Sequence, residues 1–296
     1  MAHKLIRSFF QGFYRLGCPS PLPEEEGIRI LTDRLCSDTT CMISRFGSVE
    51  LQTLCYEKLQ PWLLPLKRRT WRNLGNSAGF FPVDGTHIRR FYELYRADTA
   101  ELDVLITWRF EEMFFRGWIG DIPRVSKRTL DGFYDQDSPW TRVLTGKRIL
   151  VVHPFAETIR EQYERNRTKL FANPLTLPAF EKLEIIKAVQ SIAGNPVDFP
   201  TWFEALEHMK ALINQKEFDI ALRGCGAYGM PLAAHIKRMG RKAVHLGGVT
   251  QFLFGIKGKR YVDNPQTNRF INEYFVSPRP EDRPERAGTV EGGCYW

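Results

Sequence analysis

The sequence predicts an α/β fold, in which a Rossmann-like and mostly parallel sheet is flanked by helices. Apolar runs of strand length alternate with amphipathic stretches of helix length in the second half of the chain, as in right-handed βαβ crossovers. A glycine-rich turn at 224–229 also lies between one of these strands and the following helix. With 296 residues, of which 43% are hydrophobic and 26% charged, the chain can bury a large core.

The elements follow in order from hydrophobic periodicity and from turn and cap residues. The predicted helices are 3–16, 23–37, 48–59, 86–97, 156–166, 180–192, 202–215 and 231–239. The predicted strands are 40–44, 102–107, 148–153, 218–223 and 242–246.

These elements divide the chain into three parts. Residues 1–20 are predicted to form an N-terminal amphipathic helix, 21–277 an α/β domain, and 278–296 an irregular tail rich in Pro, Arg and Glu. Within the domain, 119–146 is rich in turn-forming residues and is predicted to be an internal linker. The tail ends on the apolar run Cys294-Tyr295-Trp296, which can dock on the body of the protein.

The charge indicates the class of partner. Lys and Arg number 42 against 34 Asp and Glu, and the net charge of +8 favours anionic ligands. The basic residues are dispersed and no stripe of interleaved aromatic residues accompanies them, so we expect no nucleic-acid partner. The basic, amphipathic helix 3–16 either packs on the protein or lies on a membrane surface.

The six cysteines and the absence of a long apolar stretch predict a cytoplasmic location. No C-x-x-C pair or histidine cluster forms a zinc pattern, and free thiols fit a reducing compartment. No apolar run approaches the roughly 20 residues that span a bilayer. The N-terminus lacks a clean signal peptide because Arg7, Gln11 and Arg15 interrupt its apolar residues. If helix 3–16 binds a membrane, we expect the inner face.

The turn G-C-G-A-Y-G at 224–229 has G-x-G-x-x-G spacing between a predicted strand and a predicted helix. Glycines in that place let the backbone approach a phosphate and aim the helix N-terminus at it. A dinucleotide site would also place Asp or Glu at the end of the next strand. That strand ends instead on H-L-G-G at 245–248, which counts against a nicotinamide enzyme. Another phosphate-bearing ligand and a tight turn that binds nothing are the alternatives.

Two further features favour a phosphate. Gly247-Gly248 forms a second turn at the end of an adjacent strand, where open α/β sheets bind ligands. Lys257, Lys259 and Arg260 follow Gly255 and can clamp a diphosphate. The alternative for this basic cluster is a solvated loop.

The segment R-F-G-S-V-E-L at 45–51 is the other candidate site. Gly47 suits a sharp turn, and Ser48 is a good N-cap for the following helix. Glu50 lies in the first turn of that helix. Its carboxylate can hold a divalent cation or act as a base, or it can simply be a helix-N-terminal acid stabilised by the dipole.

Residues 45–51 resemble the R-F-G-D-G-E-L segment of the GT-D glycosyltransferases, a Rossmann-like family acting in bacterial surface-polysaccharide and protein glycosylation. L-V-V-H-P-F at 150–155, the turn at 224–229, and H-L-G-G at 245–248 with Gln251 resemble uncharacterised proteins of polysaccharide gene clusters. The resemblance to those proteins covers most of the chain, whereas that to the GT-D enzymes is confined to short motifs.

The resemblance implies a site. In GT-D enzymes the D-x-E portion is associated with the metal and the diphosphate of a UDP-sugar, which makes Glu50 the catalytic and metal-binding residue here. Ser48 stands where the family has Asp, and a hydroxyl is a poorer cation ligand than a carboxylate. A His–Gly turn near the nucleotide implies that His245 is a diphosphate contact or an acid–base residue. The residues assigned to the nucleotide are Arg45, Gly47, Ser48, His153, Gly224, Gly226, Tyr228, Gly229, Gly247, Gln251, Lys257 and Lys259.

Other candidate site residues have weaker support from the sequence. Asp135 and Asp137 have the D-x-D spacing of another glycosyltransferase class, but they lie in the predicted linker, where an exposed turn is the simpler interpretation. His153 and Thr158 flank the start of a helix, where they can contact a phosphate or ribose or pack without a ligand. Resemblance alone points to three residues lining an acceptor or nucleotide cleft: Asn76, Gly79 and Phe80.

The sequence therefore predicts a glycosyltransferase that uses a nucleoside-diphosphate donor, a UDP-sugar in the first instance. The acceptor would be a glycan or a lipid-linked molecule of surface-polysaccharide biosynthesis, and Mn²⁺ or Mg²⁺ would accompany the diphosphate. One alternative is a transferase of another group, pyruvyl or phosphoryl, that uses the same phosphate cradle. The other is a catalytically silent nucleotide-binding or scaffold protein of a polysaccharide-assembly complex.

Overall fold

The computed structural model describes residues 20–58, 64–135 and 137–296. The predicted helix 3–16, and with it the question of membrane contact, lies outside these residues. So does the centre of the D-x-D sequence, Gln136. In the described part of the chain, none of the helices combines the length and the apolar character that crossing a bilayer requires.

Seven parallel strands form one sheet, in the order β3-β2-β1-β7-β6-β4-β5, which confirms the predicted fold class. Strands β1, β2 and β6 are buried along their whole length, which is why their sequences are almost continuously apolar. The strands are β1 Cys41–Ser44, β2 Val104–Thr107, β3 Arg124–Ser126, β4 Arg148–His153, β5 Lys182–Lys187, β6 Ile220–Arg223 and β7 Lys242–His245.

Helices cover both faces of the sheet. The described α-helices are α1 Glu24–Cys36, α2 Ser48–Lys58, α3 Leu64–Ala78, α4 Gly85–Thr99, α5 Arg116–Ile119, α6 Lys127–Leu130, α7 Ala156–Asn166, α8 Trp202–Asn214, α9 Gly229–Arg238, α10 Val249–Leu253, α11 Lys259–Val262 and α12 Pro265–Asn268. Buried residues of α2, α3, α4, α8 and α9 form one core cluster, and those of α1, α7, α10 and α11 form another. Successive residues of a strand face opposite clusters, so that Met42 belongs to the first and Ile43 to the second.

The strand order creates a crevice at the centre of the sheet. Strands β1–β3 extend in one direction and β4–β7 occupy the rest, and the two groups meet where β1 pairs with β7. Because all strands are parallel, the segments that follow them emerge at one edge. Open α/β sheets bind ligands at such a point. The segments after β1 and β7 begin at Arg45 and Leu246.

The predicted helix 180–192 is wrong. Its first half is strand β5, which pairs with β4 over six residues from Lys182 to Lys187. The sequence K-L-E-I-I-K belongs to an edge strand that is only partly buried, so its charged residues disguise the strand pattern. Helix α3 has no counterpart among the predicted elements.

The segment 119–146 is also not a linker. Strand β3 pairs with β2 and completes the sheet, and helix α6 follows it. Trp140 is 1% exposed, and its Nε1–H donates to the Leu130 carbonyl at 2.9 Å. Short elements joined by tight turns look like a loop in sequence, but they are held here by burial.

The tail 278–296 is mostly irregular, as predicted, with two short 3₁₀ turns at Pro280–Asp282 and Ala287–Thr289. Its end docks on α11. The backbone N–H of Lys259 donates to Trp296 and that of Arg260 donates to Cys294, at 3.3 and 3.1 Å.

If 119–146 belongs to the core, Trp140→Ala will lower the free energy of unfolding by about 3–5 kcal/mol, as expected for a buried tryptophan. Leu175→Ala is the control, because that side chain is 40% exposed. Urea unfolding measures both. A Trp140→Ala loss no larger than the control's would contradict the placement of this segment.

Candidate functional site

A cavity of about 490 Å³ lies at the carboxyl edge of the sheet. We call it the central cavity. Segments that follow five adjacent strands contribute to its wall: β3, β2, β1, β7 and β6. Its volume falls within the range of small-molecule sites in proteins. The lining residues from these segments are Arg45, Gly47, Ser48, Val49, Glu50, Trp108, Arg109, Lys127, Asp131, Phe133, Tyr134, Gly226, His245, Leu246, Gly247, Gly248 and Val249.

The remaining wall comes from α3 and from the last forty residues. Ser77 and Ala78 end α3 beside the cavity, and Arg260 and Tyr261 face it from α11. Glu291 and Tyr295 complete this side. The docked tail is therefore part of the candidate site.

Glu50 is the buried carboxylate of the first turn of α2, with 5% of its surface exposed. The carboxylate folds back over Gly47 and fills the space that a side chain on Gly47 would need. Burial raises the pKa of Glu50, although its own backbone N–H and the positive charge of Arg45 oppose the shift. The absence of a side chain at Gly47 therefore leaves room for the Glu50 carboxylate.

Arg45 lies in the crevice between β1 and β7. Its guanidinium stacks on the ring of Trp108 at 4.9 Å, and the Trp108 Nε1–H donates to the Phe46 carbonyl at 3.0 Å. A side chain on Gly247 would collide with the same guanidinium. Arg45 Nε is buried and has no hydrogen-bond partner among the described residues. The site therefore presents a positioned cation to the cavity.

His245 fixes the backbone at Arg45. Its Nδ1 lies 3.1 Å from the Arg45 carbonyl and 3.2 Å from Ser44 Oγ. Because a carbonyl only accepts, Nδ1 carries the proton. Burial, with the positive charges of Arg45 and Arg223, lowers the pKa of His245 well below its usual value. The lowered pKa favours the neutral ring, and the contacts of Nδ1 hold the backbone at Arg45 in place.

The glycine turn does not form an open cradle. Gly226 lines the central cavity, with φ 57°, and the Ala78 carbonyl lies close to it. The His245 ring packs against Gly229, where it leaves no room for a side chain, and Gly224 is closed in by Gly247, Thr250 and His153. The glycines allow close packing between strand ends. The Gly224 N–H donates to the Val152 carbonyl at 3.1 Å and the Gly229 N–H donates to the Gly226 carbonyl, so these two amides are not free for a phosphate.

Tyr228 lies in the core and not on the central cavity. Its ring stacks on Trp202 with centroids 4.8 Å apart. It is buried among the residues that pack α8 against α9, so its predicted contact with a nucleotide has no support in the structure.

His153 and Gln251 line a side cavity of about 70 Å³, which adjoins the central cavity because Ser77, Gly226, Gly248 and Tyr295 line both. His153 Nδ1 accepts the Phe155 backbone N–H at 3.0 Å, and burial lowers the pKa of His153 to about 3. Gln251 Nε2–H donates to the Tyr295 carbonyl at 3.1 Å. Gln251 therefore anchors the tail, and His153 holds the backbone at Phe155.

Of the three basic residues that the sequence offered as a diphosphate clamp, Arg260 lines the central cavity. Lys257 and Lys259 do not line the central cavity, whereas Arg260 does. The Arg260 guanidinium donates to Glu291 at 2.9 Å and lies 4.1 Å from the centroid of the Tyr295 ring. Lys257 precedes α11, and the neighbouring residues Lys259 and Arg260 project from this helix in different directions, which spacing in the sequence did not reveal.

The weaker candidates lie elsewhere. Asp135 Oδ1 accepts the Asp137 and Ser138 backbone N–H groups at 3.0 Å, which is an exposed turn. Asn76 Nδ2–H donates to the Thr289 carbonyl at 3.0 Å and so holds the tail. The rest are buried residues that do not line the central cavity: Gly79, Phe80 and Thr158.

Sequence reasoning missed the residues that follow β2 and β3. Trp108 and Arg109 come directly after β2, and Lys127 and Asp131 come after β3. The signal was their place after a strand, but β3 was hidden in the predicted linker. They add two cations, a carboxylate and an aromatic ring to the central cavity.

Gly47→Ala will displace the Glu50 carboxylate and lower the free energy of unfolding by about 1–3 kcal/mol, as overpacking does. In the background of Glu50→Ala the same substitution will cost about 1 kcal/mol less, because the collision is gone. Gly117→Ala is the control, since nothing lies within 4 Å of that position. Denaturant unfolding of the four variants of the cycle gives the coupling; strict additivity would contradict the contact.

Glu50→Gln will stabilise the protein at neutral pH. Burial raises the pKa of Glu50 in the folded state, so the carboxyl contributes stability below its unfolded pKa of about 4.3 and loses it as the pH rises through the folded value. Each pKa unit corresponds to about 1.4 kcal/mol. Thermal unfolding from pH 4 to 8 will show a gain that grows with pH; a gain that is constant, or a loss at pH 8, would disprove the burial effect.

No protein-family model matches the chain, and no curated protein matches it. Among solved structures, one described as domain of unknown function 1792 with a distinct glycosyltransferase fold is 12% identical, with a TM-score of 0.48 over 92% of this chain and 96% of that chain. A selenomethionine-substituted structure of that domain has 12% identity and a TM-score of 0.47 over the same shares of the two chains. A structure described as a new glycosyltransferase from Streptococcus sanguinis has 11% identity and a TM-score of 0.42, over 90% and 96%. At these levels the similarity carries no argument about what the chain binds.

Proposed function

We propose that the protein is a glycosyltransferase that takes a sugar from a nucleoside-diphosphate donor, bound in the central cavity. The observation that carries the proposal is the pairing of positioned cations with buried carboxylates in one cavity at the carboxyl edge of the sheet. The cations are Arg45, Arg109, Lys127 and Arg260, and the buried carboxylates are Glu50 and Asp131.

The cations suit a departing diphosphate. Negative charge builds on the leaving phosphate as the bond to the sugar breaks, and fixed guanidinium groups stabilise it in a partly buried site. Arg45 is the best placed, because it forms no ion pair with any described residue and is held on Trp108. Arg260 is paired with Glu291, a partner that an incoming phosphate can replace.

Aromatic rings suit the nucleoside. Tyr134 and Tyr295 line the central cavity along with Trp108 and Tyr261, and such rings bind a base or a sugar face by stacking. A uridine nucleotide is the donor to test first, because residues 45–51 resemble the segment that GT-D enzymes associate with a UDP-sugar. On the same ground the proposed acceptor is a glycan or lipid-linked molecule of surface-polysaccharide biosynthesis, met on the cytoplasmic side.

A divalent cation does not fit the protein's own donor set. In the described part of the chain, no three His, Cys, Asp or Glu side chains group so that they could hold a metal ion. Ser48 offers a hydroxyl beside Glu50. The positive charge that the diphosphate needs is present in the arginines, so we assign Glu50 to the hydroxyls of the donor sugar, beside Arg45.

UDP will bind the wild-type protein, and Arg45→Gln will weaken binding about 10- to 100-fold, the loss expected for a charge-assisted hydrogen bond. Calorimetry with and without Mn²⁺ measures it, and Arg165→Gln, on an exposed part of α7, is the control. Chromatography of a panel of UDP-sugars incubated with the protein tests turnover. If UDP binds under neither condition, the proposed enzymatic function is wrong and a scaffold is favoured. Turnover of other phosphorylated donors alone would favour another group transferase.

A further inference from the structure

We propose that Asp131 is the general base that accepts a proton from the incoming hydroxyl. The inference rests on the proposed function and deepens it, because it assigns the acceptor side of the central cavity to the segment after β3. No motif in the sequence marks this residue.

Asp131 follows helix α6 and is 5% exposed, yet it lines the central cavity. Oδ2 accepts from the Lys127 ammonium at 2.5 Å. Oδ1 is buried and has no hydrogen-bond partner among the described residues. A buried carboxylate oxygen without a partner is costly unless a ligand donates to it. Lys127 fixes the carboxylate and leaves one oxygen free.

The other acids near the cavity are already engaged. Glu291 pairs with Arg260, and Glu111 pairs with Arg109. Glu112 accepts the backbone N–H groups of Trp108 and Arg109 at 3.2 and 3.1 Å.

Glu50 faces its own helix N-terminus over Gly47. Among the described carboxylates that line the cavity, Asp131 alone has a buried oxygen without a partner.

The surroundings make Asp131 a usable base. Burial raises its pKa, while Lys127, Arg45 and Arg128 oppose the shift. Burial raises the pKa of the Tyr134 and Tyr261 phenols, and the negative charge of Asp131 adds to both shifts. A carboxylate with a raised pKa takes a proton more readily at neutral pH.

In the proposed transfer step, the acceptor hydroxyl gives its proton to Asp131 Oδ1 while its oxygen forms a bond to the anomeric carbon of the sugar. The bond from that carbon to the diphosphate oxygen breaks, and its electron pair leaves with the diphosphate, whose charge Arg45 and Arg260 stabilise. In the absence of an acceptor, water takes the place of the hydroxyl, and the products are the free sugar and UDP.

Hydrolysis of the UDP-sugar that the wild type turns over is the assay. Asp131→Asn will lower kcat at least about 100-fold, the usual contribution of a general base, and leave the Kd for UDP within about threefold. Asp98→Asn is the matched control: that buried carboxylate also has one oxygen bound to a cationic side chain, here Arg238, and one without a described partner, but it does not line the cavity. It will keep wild-type kcat.

Two readouts separate a base from a structural residue. Sodium formate will restore part of the kcat of Asp131→Ala, because the small anion can occupy the vacated space and take the proton. Lys127→Met will move the acidic limb of kcat/KM to higher pH, since loss of the ammonium raises the pKa of Asp131 and the base must be ionised.

The experiments distinguish failure of the proposed function from failure of the assignment of Asp131. A wild type that neither binds UDP nor turns over any donor defeats the proposed function. A wild type that turns over a donor while Asp131→Asn keeps its kcat defeats only the assignment of Asp131. Loss of UDP binding and kcat together in Asp131→Asn, without rescue of Asp131→Ala by formate, makes the residue structural and also overturns the inference.

Discussion

The stacking of the Arg45 guanidinium on Trp108 is the interaction on which the candidate site depends. It places a cation where the two groups of strands meet, between β1 and β7. The backbone on one side is held by His245, and the missing side chain of Gly247 leaves the space that the guanidinium fills. The positive charge of Arg45 opposes the pKa rise that burial causes in Glu50 and Asp131. The charge of one side chain, Arg45, therefore affects the pKa of both carboxylates.

The same arrangement lowers the stability of the fold. Both carboxylates are almost completely buried, and burial favours their neutral forms. A protein selected for stability alone would replace such groups, so their retention at the edge of the sheet is typical of a functional site. His245 is buried beside them, and its Nδ1 holds the backbone at Arg45.

Much of the fold was readable in the sequence. Strands β1, β2, β4, β6 and β7 are buried apolar runs, and such runs are the strongest signal that a chain gives. Strand β5 was not predicted because it is a partly exposed edge strand with interspersed charges. Strand β3 was not predicted because three residues between turns have no periodicity. Side-chain direction was less predictable still. Glu50, Arg45 and His245 were found by resemblance, but only coordinates show that Gly229 packs on the His245 ring and that Arg260 faces the cavity.

The tail, which forms one wall of the cavity, is held in place largely through its backbone. Main-chain hydrogen bonds join Lys259 to Trp296 and Arg260 to Cys294, and the Gln251 amide holds the Tyr295 carbonyl. Bonds of this kind tolerate many side chains, since they require only the path of the chain. Substitutions of side chains along this wall can therefore alter which ligand is accepted while the sheet stays as it is, which suits the tail to the evolution of new specificity.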